Sequence, residues 1–148
     1  SIGDDAFAYC SSLQSIVIPD SVTEIGESTF EGCTSLQSIV IPNSVTKIGK
    51  AAFRYCTSLQ SIVIPDSVTA IGGAAFSCTS LQSIVIPNGE TRIDTSTFEG
   101  CGGLQSIVIP DSVKEIGESA FSYCTSLQSI EIPDSVTKIK SHAFNKCI

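Results

Sequence analysis

The seven phenylalanines of this chain, Phe7, Phe30, Phe53, Phe76, Phe98, Phe121 and Phe144, stand 23 residues apart in every step but one, which is 22. A fixed period of that length marks a solenoid, in which one small unit is stacked on copies of itself and touches only its neighbours. The six prolines, from Pro19 to Pro133, keep the same step. So do the seven cysteines, Cys10, Cys33, Cys56, Cys78, Cys101, Cys124 and Cys147, which form one column on this spacing. The short step is assigned to the segment between Phe76 and Cys78. The chain thus holds about six and a half copies of one unit and is expected to be a single domain over residues 1–148. Both ends fall inside a copy, so a fragment of a longer protein is expected.

One copy, residues 36–58, runs LQSIVIPNSVTKIGKAAFRYCTS. LQSIVIP is rich in β-branched residues and ends in Pro42, which has no N–H to give a ladder, so it predicts a short strand. Leu36, Ile39 and Ile41 turn toward the core, and the alternation of a strand leaves Ser38 and Val40 on the opposite face. After the turn, Val45 and Ile48 point inward in a second extended piece, and Gly49 permits a sharp change of direction. KAAFRYC suits one helical turn with Ala52, Phe53 and Cys56 inward at i, i+1 and i+4. The expected fold class is an α/β solenoid of short strands and helical turns. One copy cannot fold alone, because its few apolar side chains do not offset the entropy lost in ordering 23 residues. Stacking merges the Leu, Ile, Phe and Cys columns into one core.

The pattern L-x-x-I-x-I-P-x-S-V-T-x-I-G-x-x-A-F-x-x-C-x-S covers essentially the whole chain. It resembles the BspA-like leucine-rich repeats of bacterial and protozoan surface proteins. The Pro after the strand, the I-G pair and the A-F-x-x-C segment recur together in most copies, which makes the resemblance specific. It implies an arc with a parallel sheet on the concave face and the helical turns on the convex face. It also implies a location at the cell surface or outside the cell, and a role in adhesion or ligand binding.

Fifteen acidic against eight basic side chains give a net charge of −7, which repels phosphate backbones and anionic membrane surfaces and argues against a nucleic-acid partner. No apolar run approaches the roughly 18–20 residues that a membrane span requires, so no membrane insertion is expected. Cysteines stacked in a parallel ladder keep their Cβ atoms about 4.8 Å apart, wider than the roughly 3.8 Å of a disulfide. With no CxxC spacing and one histidine, His142, a zinc site lacks ligands. The expectation is a column of reduced thiols filling the core. That histidine stands where most other copies carry Ser or Ala, so it is expected to be exposed and incidental and not a member of a Ser/His/Asp or Cys/His arrangement. The carboxylate pairs Asp4 with Asp5 and Glu115 with Glu118 sit at variable turn positions and suggest solvated charge. No enzyme, metal or cofactor is expected.

The outward columns carry the functional signal. Ser15, Ser38, Ser61, Ser83, Ser106 and Ser129 form one line, and Val17, Val40, Val63, Val85 and Val108 form another that ends at Glu131. Contiguous exposed apolar surface often marks an interaction site, although strand propensity alone also favours valine there. The candidate partner-binding residues are Ser38, Val40, Ser61, Val63, Ser83, Val85, Ser106, Val108 and Glu131. The expected function is a non-enzymatic recognition module for a protein or glycan partner. The competing role is a structural spacer or rod that associates end to end through unpaired strand edges. One further irregularity stands out: Glu90 occupies a position that is valine in the other copies, with Arg92 placed to keep it solvated.

Overall fold

The computed structural model describes residues 1–147; Ile148, the last residue of the expected domain, lies outside them. The chain winds as a stack of parallel turns, each contributing three stretches to the wall. The Ser-Ile-Val stretch forms strands β1 (Ser15–Val17), β3 (Ser38–Val40), β6 (Ser83–Val85) and β8 (Ser106–Val108). The stretch before each glycine column forms two-residue strands: β2 (Glu24–Ile25), β4 (Lys47–Ile48), β5 (Ala70–Ile71), β7 (Arg92–Ile93), β9 (Glu115–Ile116) and β10 (Lys138–Ile139). Pairing is parallel with residues in repeat register, Ile16 opposite Ile39 and Ile25 opposite Ile48. The sheets are β1-β3, β6-β8, β2-β4-β5 and β10-β9-β7, so neither ladder runs unbroken through the molecule.

The third stretch, around each phenylalanine, corrects the expected fold class. Among the described residues there is no helix: the molecule is a β-solenoid, not an α/β solenoid with helical turns. KAAFRYC instead forms overlapping tight turns, in which the N–H groups of Ala52, Arg54 and Cys56 donate to the carbonyls of Gly49, Ala51 and Phe53. The alternate N–H groups, of Ala51, Phe53 and Tyr55, point along the stack and donate to Gly73, Ala75 and Ser77 of the next turn at 2.9, 2.8 and 3.0 Å. This geometry places two residues per turn in the left-handed region, here Ala51 (φ 54°) and Tyr55 (φ 60°). Left-handed backbone costs roughly 1–2 kcal/mol per residue. A single helical turn leaves its first four N–H groups without intrahelical partners, and any of them left buried and unpaired costs roughly 1–3 kcal/mol. The stacked arrangement therefore wins, and its three bonds recur at every boundary from Phe7 to Phe144.

Inside the stack the phenylalanine rings lie nearly parallel, with centroids 5.4–5.8 Å apart, from Phe7 to Phe144. That separation is the offset-stacked arrangement aromatic pairs prefer. Leu36, Leu59, Leu81 and Leu104 are fully buried alongside, as are Val45 and Ile48.

The cysteine column holds with one exchange. Cys33, Cys56, Cys101 and Cys124 are buried, and each thiol donates to the carbonyl of the phenylalanine one turn earlier, at 3.1–3.2 Å. Cys10 is exposed, and Cys78 and Cys147 are half-buried. Cys78 is not in the column. It occupies the left-handed position (φ 56°) held by Tyr55 and Gly100 in adjacent turns, and buried Thr79 takes the thiol's place. The missing residue thus lies after the column, between Thr79 and Ser80, and not before Cys78.

The glycine column also has a different cause from the expected change of direction. A Cβ on Gly49 would lie 2.6 Å from the carbonyl carbon of Gly26, and one on Gly72 2.4 Å from the nitrogen of Lys50. Glycine lets each turn sit directly against the backbone of the turn before it.

Candidate binding surface

The strand alternation delivers the outward columns as the sequence suggested. Val17, Val40 and Val63 are 92%, 80% and 82% exposed, and Val85 and Val108 remain exposed as well. Two ladders bring the candidate residues together: Ser38 and Val40 lie opposite Ser15 and Val17, and Ser83 and Val85 opposite Ser106 and Val108. Ser61 and Val63 are exposed but belong to no strand, so they interrupt the line. Glu131 is exposed at its end, where it lines a dent together with Val108.

Nothing about the buried thiols suits chemistry. Burial pushes the Cys56 thiol up to about 12 and that of Cys101 to about 11, so both stay protonated and unreactive near neutral pH. Among the described residues no cluster of His, Cys, Asp or Glu could hold a metal ion, and no helix is long and apolar enough to cross a membrane.

Two irregular places on the wall lie outside the candidate residues. At the first, Glu90 is not solvated by Arg92, which pairs instead with Asp94 at 3.2 Å. Glu90 is 5% exposed, and its carboxylate accepts the N–H groups of Ile71 at 2.8 Å, Thr91 at 3.0 Å and Arg92 at 3.3 Å. The equivalent N–H of Ile2, in the first turn, donates to the next turn's backbone at Glu24. The carboxylate has therefore replaced a ladder bond, and β5 and β7 do not pair. Asp94 also stands in the glycine column, but so does Lys140, whose N–H still reaches the Ile116 carbonyl at 2.9 Å. A side chain in that column is thus not enough to open the ladder; the inserted carboxylate distinguishes this boundary.

At the second place, three dents of roughly 500, 420 and 210 Å³ run together along the Gln-Ser-Val side of the wall, and Gln105 lines all three. The largest is lined by no charged residue. It opens where Gly102 and Gly103 stand at the positions that are Thr57 and Ser58 two turns earlier. Elsewhere that serine closes the gap between turns: Ser58 donates to the Thr34 carbonyl and Ser126 to the Gly102 carbonyl, both at 2.6 Å. Gly103 has no hydroxyl to do so. The Gly-Gly pair in a Thr-Ser column was the sequence signal for this groove.

The BspA-type leucine-rich repeat region, in six copies, matches residues 1–125 and 91–148. The chain belongs to that family. Solved structures agree with the assignment. A leucine-rich repeat protein from Bacteroides ovatus is 37% identical over 99% of this chain with a TM-score of 0.96. The T. pallidum leucine-rich repeat protein is 31% identical over 90% with a TM-score of 0.64. A protein from Faecalibacterium prausnitzii described as a leucine rich cell surface protein is 29% identical over 98% with a TM-score of 0.53. This BspA-type array spans 39%, 71% and 54% of the length of those three chains. No curated protein matches it.

Proposed function

We propose that the chain is a non-enzymatic recognition module of a cell-surface or secreted protein, and that it binds a protein or glycan partner through its serine and valine columns. The observation behind this reading is the exposure of valine in consecutive turns, 92% at Val17, 80% at Val40 and 82% at Val63, on a wall whose other apolar columns are buried. Exposed apolar side chains in a row have a favourable alternative in contact with a partner. Each valine adds little, so affinity comes from several turns engaged together. Cell-surface placement draws on the likeness to the F. prausnitzii leucine rich cell surface protein.

Binding to a panel of immobilised glycoproteins, before and after enzymatic deglycosylation, tests the reading and separates the two partner classes. Replacing Val40, Val63 and Val85 together by lysine should leave the melting temperature nearly unchanged and weaken binding by tenfold or more. Charge reversals at Glu27, Lys50 and Arg54 should have little effect. The opposite pattern moves the site to the charged columns and ends this proposal.

A further inference from the structure

The groove centred on Gln105 is a break in the Gln-Ser-Val side of the wall, distinct from the opening at Glu90, and the backbone does not require it. A Cβ on Gly102 would meet only the Thr125 hydroxyl oxygen, at 3.6 Å, and one on Gly103 only the carbonyl oxygens of Ser80 and Leu81, at 3.8 Å. Both are ordinary van der Waals distances, and neither glycine has positive φ. The backbone therefore admits a Cβ at both positions and does not demand glycine here. This differs from Gly49 and Gly72, which the close approach of the turns demands. Two side chains that could close the wall are absent, and the missing residue of the preceding turn deepens the same place.

What remains along the groove has one chemical character. Gln60, Gln82 and Gln105 line it from three successive turns, each amide able to donate and accept hydrogen bonds. Ser80 and Ser126 stand in its wall, with the carbonyls of Ser80 and Leu81 facing Gly103. Among the described residues no hydroxyl donates to those two carbonyls. No charged group lines this part, although the chain as a whole carries a net charge of −7. The amides recur at the spacing of a parallel stack, about 4.8 Å per turn, close to the advance of one sugar ring along an extended glycan. Exposed amides and the two open carbonyls, with no charge in the largest dent, complement a ligand rich in neutral hydroxyl groups; the one charged side chain of the groove, Glu131, stands at its far end.

We infer that this groove, spanning the turns of Phe76, Phe98 and Phe121, is a binding site for a neutral oligosaccharide, with Gln105 at its centre. The inference rests on the recognition reading above and narrows it to one place and one ligand class. Val108 and Glu131, at the far end of the groove, join it to the valine columns.

The test titrates the chain with the hexasaccharides of β-1,4-glucan, α-1,4-glucan and β-1,4-mannan, and with hexagalacturonate as an acidic counterpart, while following the glutamine side-chain amide resonances by NMR. At least one neutral hexasaccharide should bind saturably and shift Gln60, Gln82 and Gln105 while leaving Gln14 and Gln37 in place. The double variant Gly102→Thr/Gly103→Ser, which restores the repeat, should fold with equal or higher stability and lose at least tenfold in affinity. Three results overturn the inference: no binding of any neutral hexasaccharide at 5 mM, equal shifts along all the glutamines, or undiminished affinity in the double variant. If the sugars fail while the triple lysine variant still loses a protein partner, recognition through the valine columns stands and this site does not.

Discussion

Glu90 puts a side-chain carboxylate where the other turns put a backbone carbonyl, and the exchange has a pH signature. Burial raises its pKa, opposed by the N–H groups of Arg92, Ile71 and Thr91 and by the Arg92 charge. A carboxyl that holds its proton more tightly folded than unfolded favours folding while protonated, and that advantage disappears as pH rises through its folded value. At this residue, acidification from pH 7 toward the ordinary carboxylate range should therefore add stability, against the opposite contribution of Glu115, whose carboxyl the Lys140 hydrogen bond holds below its ordinary value. Glu90→Val, which removes the buried charge and lets β5 and β7 pair, should raise stability at pH 7 by about 1–2 kcal/mol and flatten that dependence. Urea denaturation across pH checks both effects; parallel curves for the two proteins would refute the assignment. Sequence alone marked Glu90 as the odd member of a valine column but sent it toward solvent, because Arg92 offered a nearby opposite charge. What the sequence does not display is an N–H freed on the preceding turn, which a carboxylate can reach only when the chain is stacked. The candidate residues Val40, Val63 and Val85 were more legible, since one strand alternation decides their exposure.

At the level of the elements, the strands were readable and the phenylalanine stretch was not. LQSIVIP reads as a strand and forms one in four copies, although not at residues 61–63, whereas KAAFRYC satisfies helical spacing and stacked tight turns equally well. Its conformation is settled by hydrogen bonds to the next turn, which no window of one copy contains. The left-handed positions also lacked their usual marker, because only Gly32 and Gly100 among them are glycines and the others are residues such as Asp5, Ala51, Ser119 and Tyr123. The same dependence on the neighbouring turn makes one amide informative. Gly49, Gly72 and Gly117 donate their N–H groups to Ile25, Ile48 and Ile93 at 2.7–2.9 Å, but Asp94 makes no such bond to Ile71. Its amide should exchange with solvent at least tenfold faster than those three, while Phe76, bonded to Thr97, stays protected. Uniform protection across the column would mean that β5 and β7 pair in solution.

For the whole molecule, stability in a stack of this kind is a sum of turn energies and boundary energies. The boundary between the turns of Phe76 and Phe98 has lost its β5–β7 pairing and is held chiefly by the phenylalanine stretch, where Ala74, Phe76 and Cys78 still donate across it. The two halves should therefore separate in denaturation. Tyrosine fluorescence reports on each, since Tyr9 and Tyr55 lie before the boundary, Tyr123 lies after it, and the chain has no tryptophan. Tyr123→Phe, which watches the first half, and Tyr9→Phe/Tyr55→Phe, which watches the second, should give different midpoints that merge when Glu90→Val is added. Coincident midpoints without that change would contradict a weakened boundary. The unbroken spine of axial hydrogen bonds also has a mechanical meaning. Under tension along the stack the boundaries bear load in series, so the weakest one sets the tensile strength of the entire array. Each turn stores 23 residues, roughly 80 Å of extended chain, in about 4.8 Å of axial length. Once a boundary yields, the molecule lengthens many-fold before its covalent backbone is strained, so a sudden pull is dissipated turn by turn.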